Sequence, residues 1–313
     1  MRVIITGGTG LIGSAVVKNL ALDGHEVHIL SRNPRQTEPL PATVHFHKWD
    51  AKTADGWGHL ADGADAIINL AGESVSGEGF LPSKWSWKRK KTILQSRVDA
   101  GEAVIDAIKQ TSKKPKVLIQ SSAVGYYGTK TGDQDVTEDF SAGDDFLADV
   151  CKQWEASTAE AEQLGVRRAV IRTGIVLSAD GGALPRMAFP FKFKSGGTLG
   201  DGKQHMPWIH LDDEIGAIRF LINNENASGV FNLSAPNPVT NKEMTKELGK
   251  VLGNIIPAPV PGFVFRSVFG EVSTIVLDGQ RAVPSRLLEL GYTFKYATIG
   301  EALRAIYLAV VKA

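Results

Sequence analysis

Cysteine is nearly absent: Cys151 is the single one in 313 residues. That excludes an intramolecular disulfide and any zinc site built on clustered thiolates. It suits a reducing, cytoplasmic setting. Long apolar runs are absent too, and none reaches the length that crosses a bilayer. The most membrane-like stretch, Phe263 to Leu277, is interrupted by Arg266 and Glu271, so it is at most an apolar docking face. No apolar segment with a cleavage signature follows Met1, so no secretion signal is expected. Neither sign of charge dominates: 35 Lys and Arg face 34 Asp and Glu, for a net charge of +1. Nothing global therefore draws the chain to nucleic acid or an anionic membrane. Low-complexity linkers and internal repeats are missing as well.

What is present is alternation. Short apolar runs at Arg2 to Thr6, Glu26 to Leu30, Val44 to Trp49, Ala66 to Leu70, Lys116 to Gln120 and Ala169 to Leu177 read as strands. Helical spacing marks Leu11 to Leu22, Arg97 to Lys109 and Phe146 to Leu164. Continuous apolar strands between helices predict a parallel sheet covered on both faces. After Leu177 glycines and prolines break the pattern. A helix at Asp212 to Asn223 and a strand at Gly229 to Leu233 then read as a return to the sheet. A helix at Lys242 to Leu252, a proline cluster at Pro257, Pro259 and Pro261, and a helix at Ile299 to Val310 follow. The expected fold is α/β: a Rossmann-type doubly wound parallel sheet with a smaller C-terminal α/β substrate lobe. Residues 1–178 with a return segment near 208–235 form the cofactor part, and 179–207 with 236–313 the lobe.

Thr6-Gly7-Gly8-Thr9-Gly10-Leu11-Ile12-Gly13 stands between a predicted strand and a predicted helix. That context turns a weak glycine pattern into a strong one. Gly7 permits a tight turn, Gly10 lets backbone approach a pyrophosphate, and Gly13 packs helix on sheet. The amides at Leu11 and Ile12 then meet the phosphates at the positive end of the helix dipole. The second strand ends Leu30-Ser31-Arg32, with no carboxylate to repel a 2′-phosphate. Arg32 supplies a charged donor and Ser31 a neutral one, which selects NADP(H) over NAD(H). Asp50, after the third strand, is either an acceptor for the adenine amino group or a plain turn aspartate.

These residues resemble the extended short-chain dehydrogenases/reductases, together with Asn69-Leu70-Ala71-Gly72, Ser121-Ser122-Ala123 and Tyr127-Gly128. More narrowly, the chain resembles an atypical subgroup described as epimerase family proteins. The subgroup features are Ser96-Arg97-Val98, Phe146-Leu147-Ala148 with Trp154-Glu155, Arg172-Thr173-Gly174 and Pro207-Trp208-Ile209-His210 with Asp212-Asp213. The tail from Val260-Pro261-Gly262 through Gly291-Tyr292 is similar to that subgroup's C-terminal domain of unknown function. The resemblance implies that Leu70, Ala71, Gly72, Ser121, Arg172 and Thr173 also border the cofactor. It leaves a homodimer open, since related folds pair through two helices.

The wider family works with a tyrosine and a lysine four residues later on one helix, beside a serine at the end of strand five. The tyrosine passes a proton while the nicotinamide passes a hydride. Here the serine is Ser122, but alignment on Glu155 puts Leu147 at the tyrosine and Cys151 at the lysine. Lys152 is one residue away, roughly 100° around the helix. Tyr126 and Tyr127 lie on the loop after strand five. The candidate replacements are Ser122, Tyr127 and Glu138, with His210 as a group that titrates near neutrality. Each has a structural alternative: packing for Tyr127, capping for Glu138, filling between lobe and sheet for His210. Cys151 reads as a small buried apolar residue.

Lys84-Trp85-Ser86-Trp87-Lys88-Arg89-Lys90-Lys91 interleaves tryptophan with base, a pattern that suits single-stranded nucleic acid. With balanced total charge it reads instead as a solvated helix start whose tryptophans pack on the lobe. His45 and His47 share one face of a strand, but no nearby carboxylate or cysteine completes a metal site. The expectation is therefore an NADP(H)-dependent oxidoreductase or epimerase-like enzyme for a small carbonyl or hydroxyl substrate, without nucleic-acid or membrane partners. The alternative is a non-catalytic NADP(H)-binding regulator or sensor.

Overall fold

Val3, Ile4 and Ile5 are buried on both faces of the strand β1 (Arg2–Thr6), and the rest of the site hangs from that strand. The computed structural model describes residues 1–34, 39–77, 79–193, 196–253 and 259–310; Pro257 lies outside them. Six further strands are β2 (Glu26–Ser31), β3 (Val44–Lys48), β4 (Ala66–Asn69), β5 (Val117–Ala123), β6 (Arg167–Thr173) and β7 (Gly229–Leu233). Among the described residues they form one seven-stranded parallel sheet in the order β7-β6-β5-β4-β1-β2-β3. The strand order reverses at β1 and β4, so the crevice opens at their C-terminal ends.

Helices cover both faces. On one, Val16, Val17 and Leu20 of α1 (Leu11–Leu22) pack with Val3, Ile5 and Ile68. On the other, Ala103, Val104 and Ala107 of α2 (Trp87–Gln110) pack with Ile4, Ile67 and Leu118. Next come α3 (Phe146–Ala156) and α4 (Leu211–Asn223), the latter adding Ile218 and Leu221 to the α1 side. The chain continues through α5 (Asn241–Leu252), α6 (Gly262–Phe269) and α7 (Ile299–Val310). A separate core of Leu184, Phe191, Trp208, Met244, Leu248 and Leu303 forms beneath α5 and α7.

Several elements differ from the sequence expectation. β5 runs on to Ala123, because Ser121, Ser122 and Ala123 pair with Ile171, Arg172 and Thr173. α2 starts at Trp87, within the basic stretch read as a helix start and ahead of the helical spacing at Arg97; the Ser86 hydroxyl accepts the Arg89 N–H and caps it. The run Ala169 to Leu177 breaks at Gly174, where a Cβ would meet the Pro207 carbonyl. Ile175–Leu177 then pairs with Trp208–His210 instead of the main sheet. The helix expected from Phe146 to Leu164 stops at Ala156 and resumes briefly at Glu160–Gln163. Of the two tryptophans in the basic stretch only Trp85 packs, against Phe146 at 5.0 Å; Trp87 is 77% exposed. In α6 no residue is buried, and Phe263 is open to solvent. Among the described residues no helix is long and apolar enough to cross a membrane.

Candidate functional site

At the end of β1 the Thr6 hydroxyl is fully used. It donates to Asn69 Oδ1 at 2.6 Å and accepts the Leu70 and Ala71 N–H groups at 3.1 and 3.2 Å. Thr6 therefore ties the β4 exit to β1 and holds the wall formed by Leu70, Ala71 and Gly72. Gly7 has φ of +68°, and a Cβ there would lie 2.8 Å from the Leu70 carbonyl oxygen. A Cβ on Gly13 would run into the Gly7 carbonyl, whereas one on Gly10 would meet only Gly7 O, at 3.4 Å. Gly10 is the N-cap of α1. No side chain caps that helix, and its first turn carries no acidic residue. The amides of Leu11, Ile12 and Gly13 are thus left for an anion, at the positive end of the helix dipole.

A cleft of about 770 Å³ opens over this turn, lined by Gly7 to Gly10, Ser31, Arg32, Leu70 to Glu73 and Ser96. Phe46 and Trp49 give it an apolar wall. Arg32 reaches across to Glu73, with Nη2 3.1 Å from the carboxylate. Asp50 takes the turn role. Its carboxylate accepts the Lys52 and Thr53 N–H groups at 2.8 and 2.9 Å and the Thr53 hydroxyl at 3.0 Å, so it closes its own turn.

Ser122, Tyr127, Glu138 and Arg172 come together further along the sheet edge, in a buried network that protein atoms fill. The Arg172 guanidinium grips Glu155 with two bonds, 2.8 and 3.0 Å long. It lies 3.3 Å over the Tyr126 ring and donates to the Tyr127 hydroxyl at 3.1 Å. Burial works against its charge, but the bonds to Glu155 and Tyr127 outweigh burial and hold it above the usual arginine range. The Ser122 hydroxyl donates to Glu155 at 2.6 Å. Tyr127 donates to Asn232 Oδ1 at 2.7 Å, and burial pushes its phenol up to about 12. Glu138 Oε1 accepts the Asn232 N–H at 3.0 Å, while burial raises its carboxyl. Arg172 and Thr173, expected beside the cofactor, bond through their side chains to Glu155 and Glu214. Ser121 is buried on the α1 side of β5.

Leu147 and Cys151 sit against the turn that follows β5: a Cβ on Gly125 would lie 3.3 Å from Leu147 Cβ and 3.9 Å from Cys151 Sγ. Burial raises the Cys151 thiol to about 11, so it stays neutral. Lys152 turns to solvent, near Asp149. His210 caps α4, its Nδ1 accepting the Asp212 N–H at 3.0 Å; burial lowers its pKa and keeps it neutral. Asp213 accepts the Lys295 and Tyr296 N–H groups and ties the tail to α4. His28 bonds His47 at 2.9 Å and stacks on His45. Among the described residues no group of three or more His, Cys, Asp or Glu could hold a metal ion.

Two buried ionisable groups escaped sequence reasoning. Glu214 is fully buried, accepts the Thr173 hydroxyl at 2.9 Å, and is raised by burial to about 8. Arg97 is 9% exposed, stacks on Trp154, and gives Nη1 to the carbonyls of Glu73 and Ile93. Burial lowers it to about 10, which leaves it charged at neutral pH. Spacing could have found both. Glu214 shares a stripe with Ala217, Ile218 and Leu221, and Arg97 with Ile93, Ala100 and Val104.

Comparison with known proteins gives a consistent picture. The profile of the NAD dependent epimerase/dehydratase family matches residues 3–234, and that of a domain of unknown function (DUF1731) matches residues 260–306. The chain is 40% identical over 309 residues to the chloroplastic epimerase family protein SDR39U1 homolog of Arabidopsis thaliana, covering 98% of this chain and 86% of that protein. It is 39% identical to the epimerase family protein YfhF of Bacillus subtilis, covering 97% of each. The crystal structure of human epimerase family protein SDR39U1 (isoform 2) with NADPH superposes with a TM-score of 0.87 at 32% identity, covering 98% of this chain and 99% of that one.

Proposed function

The chain belongs to the NAD dependent epimerase/dehydratase family, and on that premise we propose that it is an NADP(H)-dependent oxidoreductase or epimerase-like enzyme. Its substrate is a small carbonyl or hydroxyl compound, and it works without the tyrosine–lysine pair. One observation carries the reading: an uncapped α1 start beside an exposed arginine at the tip of β2, both facing one cleft. A human relative at 32% identity crystallised with NADPH supports the choice of cofactor.

The main-chain amides of Leu11, Ile12 and Gly13 would hold the pyrophosphate, and Ser31 with Arg32 would hold the 2′-phosphate. Leu70, Ala71 and Gly72 wall the cleft. Bound there, NADP(H) would supply hydride transfer at its nicotinamide. Ser122, held by Glu155, fixes the sheet edge beside the cleft together with Tyr127, Glu138, Arg172 and Thr173. A second reading, a non-catalytic NADP(H) sensor, is favoured by Leu147, Cys151 and a polar network already filled by protein atoms.

NADPH labelled with deuterium stereospecifically at C4 separates the two. The enzyme loses label to some carbonyl compound in a substrate panel; a sensor binds tightly and keeps it. Gly10→Val leaves the apo fold intact but fills the ligand's approach, so NADPH affinity should fall by about 100-fold or more, roughly 2.7 kcal/mol. Unchanged affinity in that variant would end both readings.

A further inference from the structure

Arg32, the residue expected to hold the 2′-phosphate, already has an anion. Glu73 Oε1 lies 3.1 Å from its Nη2, and both residues line the cleft. Arg32 follows β2 and Glu73 follows β4, so the pair bridges two walls.

The partners differ in freedom. The Arg32 side chain is 70% exposed, whereas that of Glu73 is 24% exposed. The Glu73 main chain is clamped on both sides by consecutive residues of α2. Its N–H donates to Ser96 Oγ at 3.0 Å, and its carbonyl accepts from Arg97 Nη1 at 3.0 Å. Both clamping side chains are anchored in turn on the Ile93 carbonyl. Arg97 is buried and stacked on Trp154, while Ser96 lines the cleft. The Arg32 guanidinium can therefore swing to another anion, while the Glu73 backbone keeps its carboxylate tethered at the cleft wall.

We propose that Glu73 sets the dinucleotide preference of this cleft: it is a fixed carboxylate that holds Arg32 and that a 2′-phosphate must displace. The proposal rests on the reading that the cleft takes NADP(H). A phosphate monoester carries about −1.5 to −2 charges and binds a guanidinium fork more strongly than a carboxylate does. It wins Arg32, yet Glu73 remains beside it and repels it. With NAD(H) no displacement is needed, and the same carboxylate can accept from the free ribose 2′-hydroxyl, the role an acidic residue takes in NAD-binding folds. Glu73 thus moderates a preference that Arg32 alone would make steeper.

The test is a set of dissociation constants for NADPH and NADH with wild type, Glu73→Gln, Arg32→Ala and the double variant. Glu73→Gln should tighten NADPH by about three- to tenfold, the scale of one exposed ion pair plus one relieved repulsion, and leave NADH no tighter. In the Arg32→Ala background the ion-pair part of the gain is lost and only the relieved repulsion remains, so the gain should be clearly smaller than in the Arg32 protein. Should Glu73→Gln unsettle the loop, Glu73→Asp withdraws the carboxylate while keeping its charge, and should give a smaller gain, about twofold. NADPH binding that is unchanged or weaker in Glu73→Gln, a parallel tightening of NADH, or an equal gain without Arg32 would each overturn the proposal while leaving the cofactor reading intact. Wild-type protein that bound neither dinucleotide would overturn both.

Discussion

The C-terminal edge of the sheet carries two polar regions built on opposite terms. At β1 and β2, donors are left open: the first amides of α1 have no capping side chain, and Arg32 reaches into a cleft held only by an exposed ion pair. At β5, β6 and β7, donors are consumed: Ser122, Arg172, Tyr127 and Asn232 all give their hydrogens to protein acceptors. A buried polar group without a partner costs free energy, so proteins leave donors open only where water or a ligand can answer them. The open half reads as the binding site and the closed half as the frame that keeps the strand ends in place.

The sharpest way to break this contrast is to cut the frame. Arg172→Leu strands the Glu155 carboxylate in a buried setting, where loss of one partner from a buried pair costs about 3–5 kcal/mol. Urea unfolding should show that loss, while NADPH affinity of the folded fraction stays within about threefold of wild type, or roughly 0.6 kcal/mol. Replacing both partners, Glu155→Leu with Arg172→Met, should cost less than either single change, because no charge is left unpaired. A full-strength loss of NADPH binding with little change in stability would move Arg172 into the binding half.

The two halves were unequally legible in the sequence. Gly7, Gly10 and Gly13 lie within a few residues of one another, and their roles follow from local geometry between a strand and a helix. Arg32 is equally local. The frame is assembled from far-apart segments: Ser122 meets Glu155 across 33 residues, Tyr127 meets Asn232 across 105, and Glu138 meets Asn232 across 94. Sequence alone could name Ser122, Tyr127 and Glu138 as polar groups near a crevice. It could not show that their acceptors and donors come from β6, β7 and α3. His210 illustrates the same gap, since its imidazole turned out to cap the helix that follows it. Glu214 was hidden for the opposite reason: a carboxylate on an apolar helical stripe looks like a surface residue until the stripe is counted.

Glu214 and Glu138 are exceptions inside the closed half, since the Oε2 of each is buried without a partner. For Glu214 a proton removes the buried charge, and burial raises its pKa from 4.5 to about 8. Below about pH 4.5 both folded and unfolded chains hold the proton, and this group adds no pH dependence. Between about 4.5 and 8 the unfolded chain releases it and the folded chain does not, so stability falls as pH rises, by up to about 1.4 kcal/mol per unit. Glu214→Gln keeps the hydrogen bond from Thr173 and removes the titration. Its stability relative to wild type should therefore grow from pH 5 to pH 8 in urea unfolding. A gap that stayed constant across that range would mean Glu214 is ionised in the fold, and the closed half would then hold an unpaired buried charge.

The smallest test is a single oxygen. Tyr127→Phe removes a hydroxyl that donates to Asn232 and accepts from Arg172, and keeps the ring packed at 5.5 Å from Tyr126 and 6.2 Å from Phe140. Arg172 Nη1 retains the Glu138 carbonyl at 3.3 Å, so the main loss is the acceptor on Asn232. The expected cost is about 1–2 kcal/mol, the price of leaving a buried acceptor unmet. NADPH affinity should be unchanged in Tyr127→Phe, and flat in wild type from pH 6 to 10 as far as Tyr127 is concerned, because burial pushes its phenol up to about 12 and it carries no charge in that range. If the variant instead loses tenfold or more in NADPH affinity at full stability, or turnover with a found substrate vanishes while Asn232→Ala leaves it alone, then Tyr127 touches the reacting atoms. The line between open and closed halves would then have to be redrawn to pass between Tyr127 and Arg172.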